Sequence, residues 1–143
     1  MAMARDIMHL GAECINEDET LLAAAQKMRD LDVGSLPICG NDDRLRGIIT
    51  DRDIVVRCCA DGSDPAQVKA GEFAQDQLHL VSATDDADAV VRMMERHQIR
   101  RVPVIEDRRL VGMISEADLA QHLPDDQLAR FVENVYAPGR NAH

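Results

Sequence analysis

The stretch GIITDRDI, from Gly47 to Ile54, returns sixty-five residues later as GMISEADL, from Gly112 to Leu119. Both copies read glycine, two apolar residues, a hydroxyl, an acid, one variable position, aspartate and an apolar residue. A chain of 143 residues that writes one phrase twice carries an internal repeat, and a repeat decides the fold before any single helix or strand does. Upstream of the phrase the two halves align at a shift of 66, with Ala4 on Ala70, Asp6 on Glu72, Ile15 on Val81, Met28 on Met94 and Pro37 on Pro103. Past the prolines the shift drops to 65, because GNDDR holds one residue more than its counterpart. Thr50 then meets Ser115 and Asp53 meets Asp118.

Each copy reads as strand, helix, strand, strand, helix. In the first, the acids Glu17, Asp18 and Glu19 lead to Thr20, a residue that caps helices, and Leu21, Ala24, Ala25 and Met28 recur at helical spacing. SLPIC and LRGIIT are short apolar strands joined by the turn residues GNDD, and Asp51 to Cys59 reads as a closing helix. The second copy repeats the pattern with Ala87, Val90, Val91 and Met94, then RVPVI, LVGMIS and EADLAQHL. The expected fold is therefore α+β, two βαββα units packed with pseudo-twofold symmetry and followed by a C-terminal helix. Repeat 1 spans 1–62, a linker 63–69, repeat 2 70–123 and a helical tail 124–143, in which Leu128, Phe131, Val132 and Val135 share one face that must dock.

A net charge of −10 argues against general binding to nucleic acid or to anionic membranes. No apolar run reaches the length of a membrane span, and the first residues lack a secretory core, so the expected compartment is cytoplasmic. The four cysteines form no C-x-x-C pair. No Walker loop, G-x-S-x-G or H-E-x-x-H is present, which points away from an enzyme.

The repeated phrase sits where a strand ends and a helix begins, and two readings of it are open. A hydroxyl and an acid at a helix start suit a cap, with Thr50 or Asp51 serving, whereas Asp53 and Asp118 lie past the cap position and favour a ligand. The same residues suit a ligand, since an ionised aspartate only accepts hydrogen bonds and grips a vicinal diol, while a hydroxyl serves a sugar or phosphate oxygen. On this reading Gly47 and Gly112 admit a ligand or another backbone, and Arg52, Arg100 and Arg101 are available for phosphates.

In LPICGNDDRLRGIITDRDI and VPVIEDRRLVGMISEADL the sequence resembles the CBS (cystathionine-β-synthase) domain family, over about residues 4 to 123. The resemblance implies a domain pair, dimerisation through helices, and clefts between the repeats that take adenosine-containing ligands such as AMP, ATP or S-adenosylmethionine. It places Asp53 and Asp118 on ribose hydroxyls, Thr50 and Ser115 on ribose or phosphate, and Arg100 on phosphate. Gly34 stands where Arg100 would fall in the first copy, so the two sites are unequal and the Asp118 site is the better candidate. The expected function is a non-catalytic, regulatory homodimer binding an adenosine nucleotide, with no required cofactor.

An alternative is a stress-response interaction scaffold with vestigial clefts, tuned by metal or by thiol chemistry. Cys14 aligns with Leu80 and Cys39 with Ile105, so both read as core positions, or as a disulfide between neighbouring strands. His97 and His122 each end a helix, where the dipole favours them. Across a twofold dimer the same pair would offer imidazoles to zinc.

Overall fold

The computed structural model describes residues 2–10, 13–74 and 78–138. In chain order the elements are α1 (Ala4–Ile7), β1 (Ile15–Asn16), α2 (Leu21–Leu31), β2 (Ser35–Cys39), β3 (Leu45–Thr50) and α3 (Asp51–Asp53). A π-helical turn (Ile54–Cys59) and a 3-10 turn (Ala70–Phe73) follow. The second half holds β4 (Val81–Ser82), α4 (Ala87–His97), β5 (Arg101–Glu106), β6 (Arg109–Ser115), α5 (Glu116–His122) and α6 (Asp125–Val135). Each repeat forms its own three-stranded sheet, β1-β2-β3 and β4-β5-β6, with the first pair parallel and the second antiparallel. This is the α+β arrangement of two βαββα units that the repeat predicts.

The copies match in detail. Thr20 caps α2 by accepting from the Ala23 amide at 3.1 Å, and Asp86 caps α4. Both helices stop on a left-handed residue, Asp32 at φ 56° and Gln98 at φ 54°. Both hairpins carry an irregularity at the same register, between Ile38 and Cys39 and between Val104 and Ile105. The turns differ, as the extra residue of GNDDR requires. Asp107 and Arg108 both take positive φ, 52° and 67°, as a tight two-residue hairpin turn demands, whereas only Asp43 does so in the first copy.

The closing helix of the first copy departs from expectation. It is α-helical only over Asp51–Asp53 and then widens into a π-helix through Cys59. Ile54 and Cys58 remain buried, while Val55 and Val56 are left 60% and 44% exposed.

The units of packing are not the units of sequence. One compact unit comprises residues 12–78 and the other 1–11 with 79–143, so each repeat's leading segment packs into the other unit. The exchange is reciprocal bond by bond. Ala4 N donates to Asp85 O, Arg5 N to Ala83 O, and Ala87 N to Ala2 O, at 2.8, 2.9 and 3.0 Å. Shifted by 66, the same three bonds recur as Ala70 to Glu19, Gly71 to Glu17, and Leu21 to Val68, at 2.8, 2.9 and 2.8 Å. The physical reason lies at the helix starts: the first N–H of α4 and of α2 has no partner within its own helix, and the other copy's leading segment supplies a carbonyl.

Two apolar cores result. In the 12–78 unit, Ile15, Leu21, Leu36, Ile38, Ile49 and Phe73 are buried with Met28 and Cys58. In the other, Ile7 of α1 joins Val90, Val91, Met94, Val102, Val104 and Leu119, and α6 closes the cluster with Phe131 and Val135. The expected docking face of α6 is corrected at one position. Val132 is 44% exposed, because Phe131 and Val135 lie one turn apart and Val132 points off that line. Gln98 fastens the far end of α6 by donating to the carbonyls of Asn134 and Ala137 at 3.0 and 3.2 Å. The tail residues 139–143 lie outside the described residues, among which no helix is long and apolar enough to cross a membrane.

Phe131 is fully buried, so Phe131→Ala should lower the unfolding free energy by about 3–5 kcal/mol in a denaturant titration. Val132→Ala should stay within about 0.5 kcal/mol of the parent.

Candidate functional site

At the first copy of the phrase, Thr50 Oγ1 accepts from the Asp53 amide at 3.1 Å and Asp53 Oδ2 accepts from the Thr50 amide at 3.0 Å. This is a reciprocal capping box. The second copy builds the same box with Ser115 and Asp118. The aspartates stand at the third helical position, where a box partner belongs, so lying past the cap does not by itself mark them for a ligand. Capping is thus one established role of all four residues.

The second copy has a further neighbour. Residues 8 and 9 lie directly over Gly112, where an added Cβ would come within 2.8 Å of the His9 carbonyl and 2.7 Å of Met8 Sδ. The glycine admits another backbone. His9 and Met113 exchange both backbone hydrogen bonds, at 2.9 and 3.2 Å. His9 Nδ1 then reaches Asp118 Oδ2 at 2.7 Å. Asp118 is 9% exposed, the one charged residue among the buried residues described. Sequence reasoning missed His9, because a partner in the other repeat leaves no spacing signal. Its counterpart at a shift of 66, Gln75, lies outside the described residues.

The structure brings Arg100, Arg101, Ser115 and Asp118 to one junction, where β6 passes into α5. Arg101 stands opposite Ser115 in the β5–β6 register, and the Glu116 amide donates to the Arg100 carbonyl at 3.2 Å. The Arg100 guanidinium lies 5.7 Å from the Tyr136 ring centre and donates to its hydroxyl at 3.4 Å. Tyr136 in turn donates to Glu116 at 2.8 Å. In the 12–78 unit the corresponding place is held by Gly34, whose added Cβ would meet Asp51 Oδ2 at 3.1 Å. Near Thr50 and Asp53 the cation is instead Arg57, 3.8 Å from Asp53. Arg52 is an exposed residue of α3.

His97 and His122 are both exposed, at the ends of α4 and α5. The His97 ring stacks on His79 with centroids 4.1 Å apart, and burial together with the neighbouring His97 holds the His79 imidazole below its ordinary range. His122 Nδ1 lies 2.8 Å from the Asp118 carbonyl, so Nε2 is the ring nitrogen not engaged by that contact. Among the described residues no three metal-ligating side chains gather within one chain. Cys14 and Cys39 are paired as a disulfide with Cα atoms 5.9 Å apart, a consequence of β1 lying beside β2 with Asn16 opposite Cys39. Cys58 is buried and burial pushes its thiol up, whereas Cys59 is exposed.

Comparison with known proteins gives a single family. Residues 4–58 and 70–125 each match the CBS domain. Hypoxic response protein 1 of Mycobacterium tuberculosis is 51% identical over 138 residues, 96% of each chain. The CBS domain-containing protein YhcV of Bacillus subtilis is 31% identical over 120 residues, 84% of each chain. Among solved structures, Hypoxic Response Protein I with two coordinated zinc ions superposes with a TM-score of 0.79 and 54% identity, over 86% of this chain and 100% of that one. A hexameric CBS-CP12 protein from bloom-forming cyanobacteria gives 0.74 and 27%, over 85% and 71%.

Gly112→Ala should push the Met8–His9 backbone off β6. The expected loss is about 1–3 kcal/mol, with faster hydrogen exchange at the amides of His9 and Met113. Unchanged exchange there would show that the close approach is not what the glycine serves.

Proposed function

Because this chain belongs to the CBS domain family, with two such domains in tandem, we propose that it is a non-catalytic regulatory protein that takes an adenosine-containing ligand at the Asp118 motif. The observation that carries this reading is the junction of β6 and α5, where the buried Asp118 carboxylate and the Ser115 hydroxyl stand on the strand-to-helix turn that Arg101 of β5 and the preceding Arg100 pair against. A carboxylate there suits a ribose diol, Ser115 suits a sugar or phosphate oxygen, and a planar guanidinium suits phosphate. The stack of Arg100 on Tyr136 supports the reading, since a guanidinium already held in place loses little freedom on binding. Thr50 and Asp53 form the weaker site of the pair, with Gly34 in place of the arginine. Such a ligand acts by favouring one of two states of the protein, in a cytoplasmic homodimer.

Zinc forms a second reading, favoured by the environment of His122. A metal-binding imidazole commonly has its other nitrogen tied to a carbonyl or carboxylate, and the contact of His122 Nδ1 with the Asp118 carbonyl has that form. The donor set of His97 and His122 from two protomers suits this borderline metal. The related Hypoxic Response Protein I structure contains two coordinated zinc ions. On this reading the protein is a stress-response scaffold stabilised by zinc, and by the Cys14–Cys39 disulfide.

Thermal shift and calorimetry with adenosine, AMP, ATP and S-adenosylmethionine test the first reading. At saturating ligand the melting temperature should rise, and Asp118→Asn should abolish the rise while leaving the helix start capped in part. No shift with any of the four ends it. For zinc, metal analysis of tag-free protein should find bound ion in the parent and at least tenfold less affinity in His97→Ala and in His122→Ala; equal zinc in all three rules the pair out.

A further inference from the structure

We propose that His9 is a built-in competitor for the ligand of Asp118, a latch that must swing away before a ribose diol can be gripped. The proposal rests on the adenosine reading of the Asp118 motif and adds a control element to it. Asp118 Oδ2 already accepts from three donors: the Ser115 amide at 2.8 Å, Ser115 Oγ at 3.0 Å and His9 Nδ1 at 2.7 Å. Three donors already crowd that one oxygen, two of them from Ser115 within the motif itself, so a hydroxyl of an incoming ligand reaches Oδ2 only by taking the place of one of them. An ionised carboxylate cannot donate, so Nδ1 is the donating nitrogen of the imidazole.

The capping box needs only Ser115 and Asp118. His9 is the removable member of the three donors. Its side chain is 50% exposed while that of Asp118 is 12% exposed, so the imidazole has solvent to turn into and the carboxylate does not. Turning it need not unseat the segment. The two backbone bonds between His9 and Met113, and the cradle that Gly112 provides, hold residues 8 and 9 on β6 without help from the imidazole. The structure therefore contains a backbone anchor, a half-exposed imidazole and a carboxylate oxygen for which that imidazole and a ligand hydroxyl compete.

A latch lowers the apparent affinity by the fraction of molecules in which the site is open. If it is closed in about nine molecules of ten, removing it tightens binding about tenfold. The test is calorimetric titration of the full chain with adenosine, AMP and ATP in the parent, His9→Ala, Asp118→Asn and the double variant. His9→Ala should bind about tenfold more tightly than the parent, and Asp118→Asn should abolish binding in both backgrounds. Should His9→Ala fail to fold, His9→Gln carries the same test, because a neutral amide is the weaker competitor for a carboxylate. A second arm, independent of affinity, follows the His9 imidazole nitrogens by NMR, whose Nδ1–H signature should be lost at saturating AMP. Equal affinities of parent and His9→Ala, with Asp118→Asn inactive, overturn the latch and leave the Asp118 reading standing. Weaker binding by His9→Ala makes His9 a ligand contact and also overturns the latch. No binding of any probe by His9→Ala or His9→Gln overturns both.

Discussion

A helix that begins beside a small sheet leaves its first backbone N–H groups unpaired, and burying them so costs about as much as losing a hydrogen bond each. In this chain the first amides of α2 and α4 are satisfied by carbonyls of Val68, just ahead of the second repeat, and Ala2, at the start of the first. Much else depends on that exchange. It brings α1 against α4, puts Ile7 into the core that Phe131 closes, and lays Met8 and His9 over Gly112. The glycine of the repeated phrase is the mark this crossing leaves in the sequence.

The repeat itself was legible in the sequence, because apolar class and turn residues recur in order over more than a hundred positions. Faces were legible too, wherever a helix packs along one stripe: Ala87, Val90, Val91 and Met94 are all buried as their spacing predicts. What could not be read was which copy each leading segment serves. The pattern Ala4, Asp6 and Ala70, Glu72 is the same whether the segments stay at home or cross. For the same reason His9 drew no notice, since its partner lies over a hundred residues away. The π-helical turn at Ile54–Cys59 escaped because periodicity over so few residues does not separate a π from an α spacing.

At the candidate site, sequence and structure divide the work differently. The residue types were right and their first duty was not singular. Thr50, Asp53, Ser115 and Asp118 are all committed to capping boxes, so any ligand role is added to a structural one. The copies have diverged around that shared element. One junction acquired Arg100, Tyr136 and His9, and the other has Gly34 and Arg57. Duplication supplied two equal frames, and single side chains made them unequal.

The crossing also governs how the chain reaches its fold. The unit built on the second repeat combines residues 79–143 with residues 1–11. Residues 1–11 of that unit precede its sheet in the chain by a whole repeat, so the unit closes only after β4, β5 and β6 have followed. A cut within 63–69 would give two fragments, each keeping its own leading segment and losing the one that packs on it. Contacts of such long sequence separation slow folding. Either repeat made alone would begin with a helix start that nothing covers.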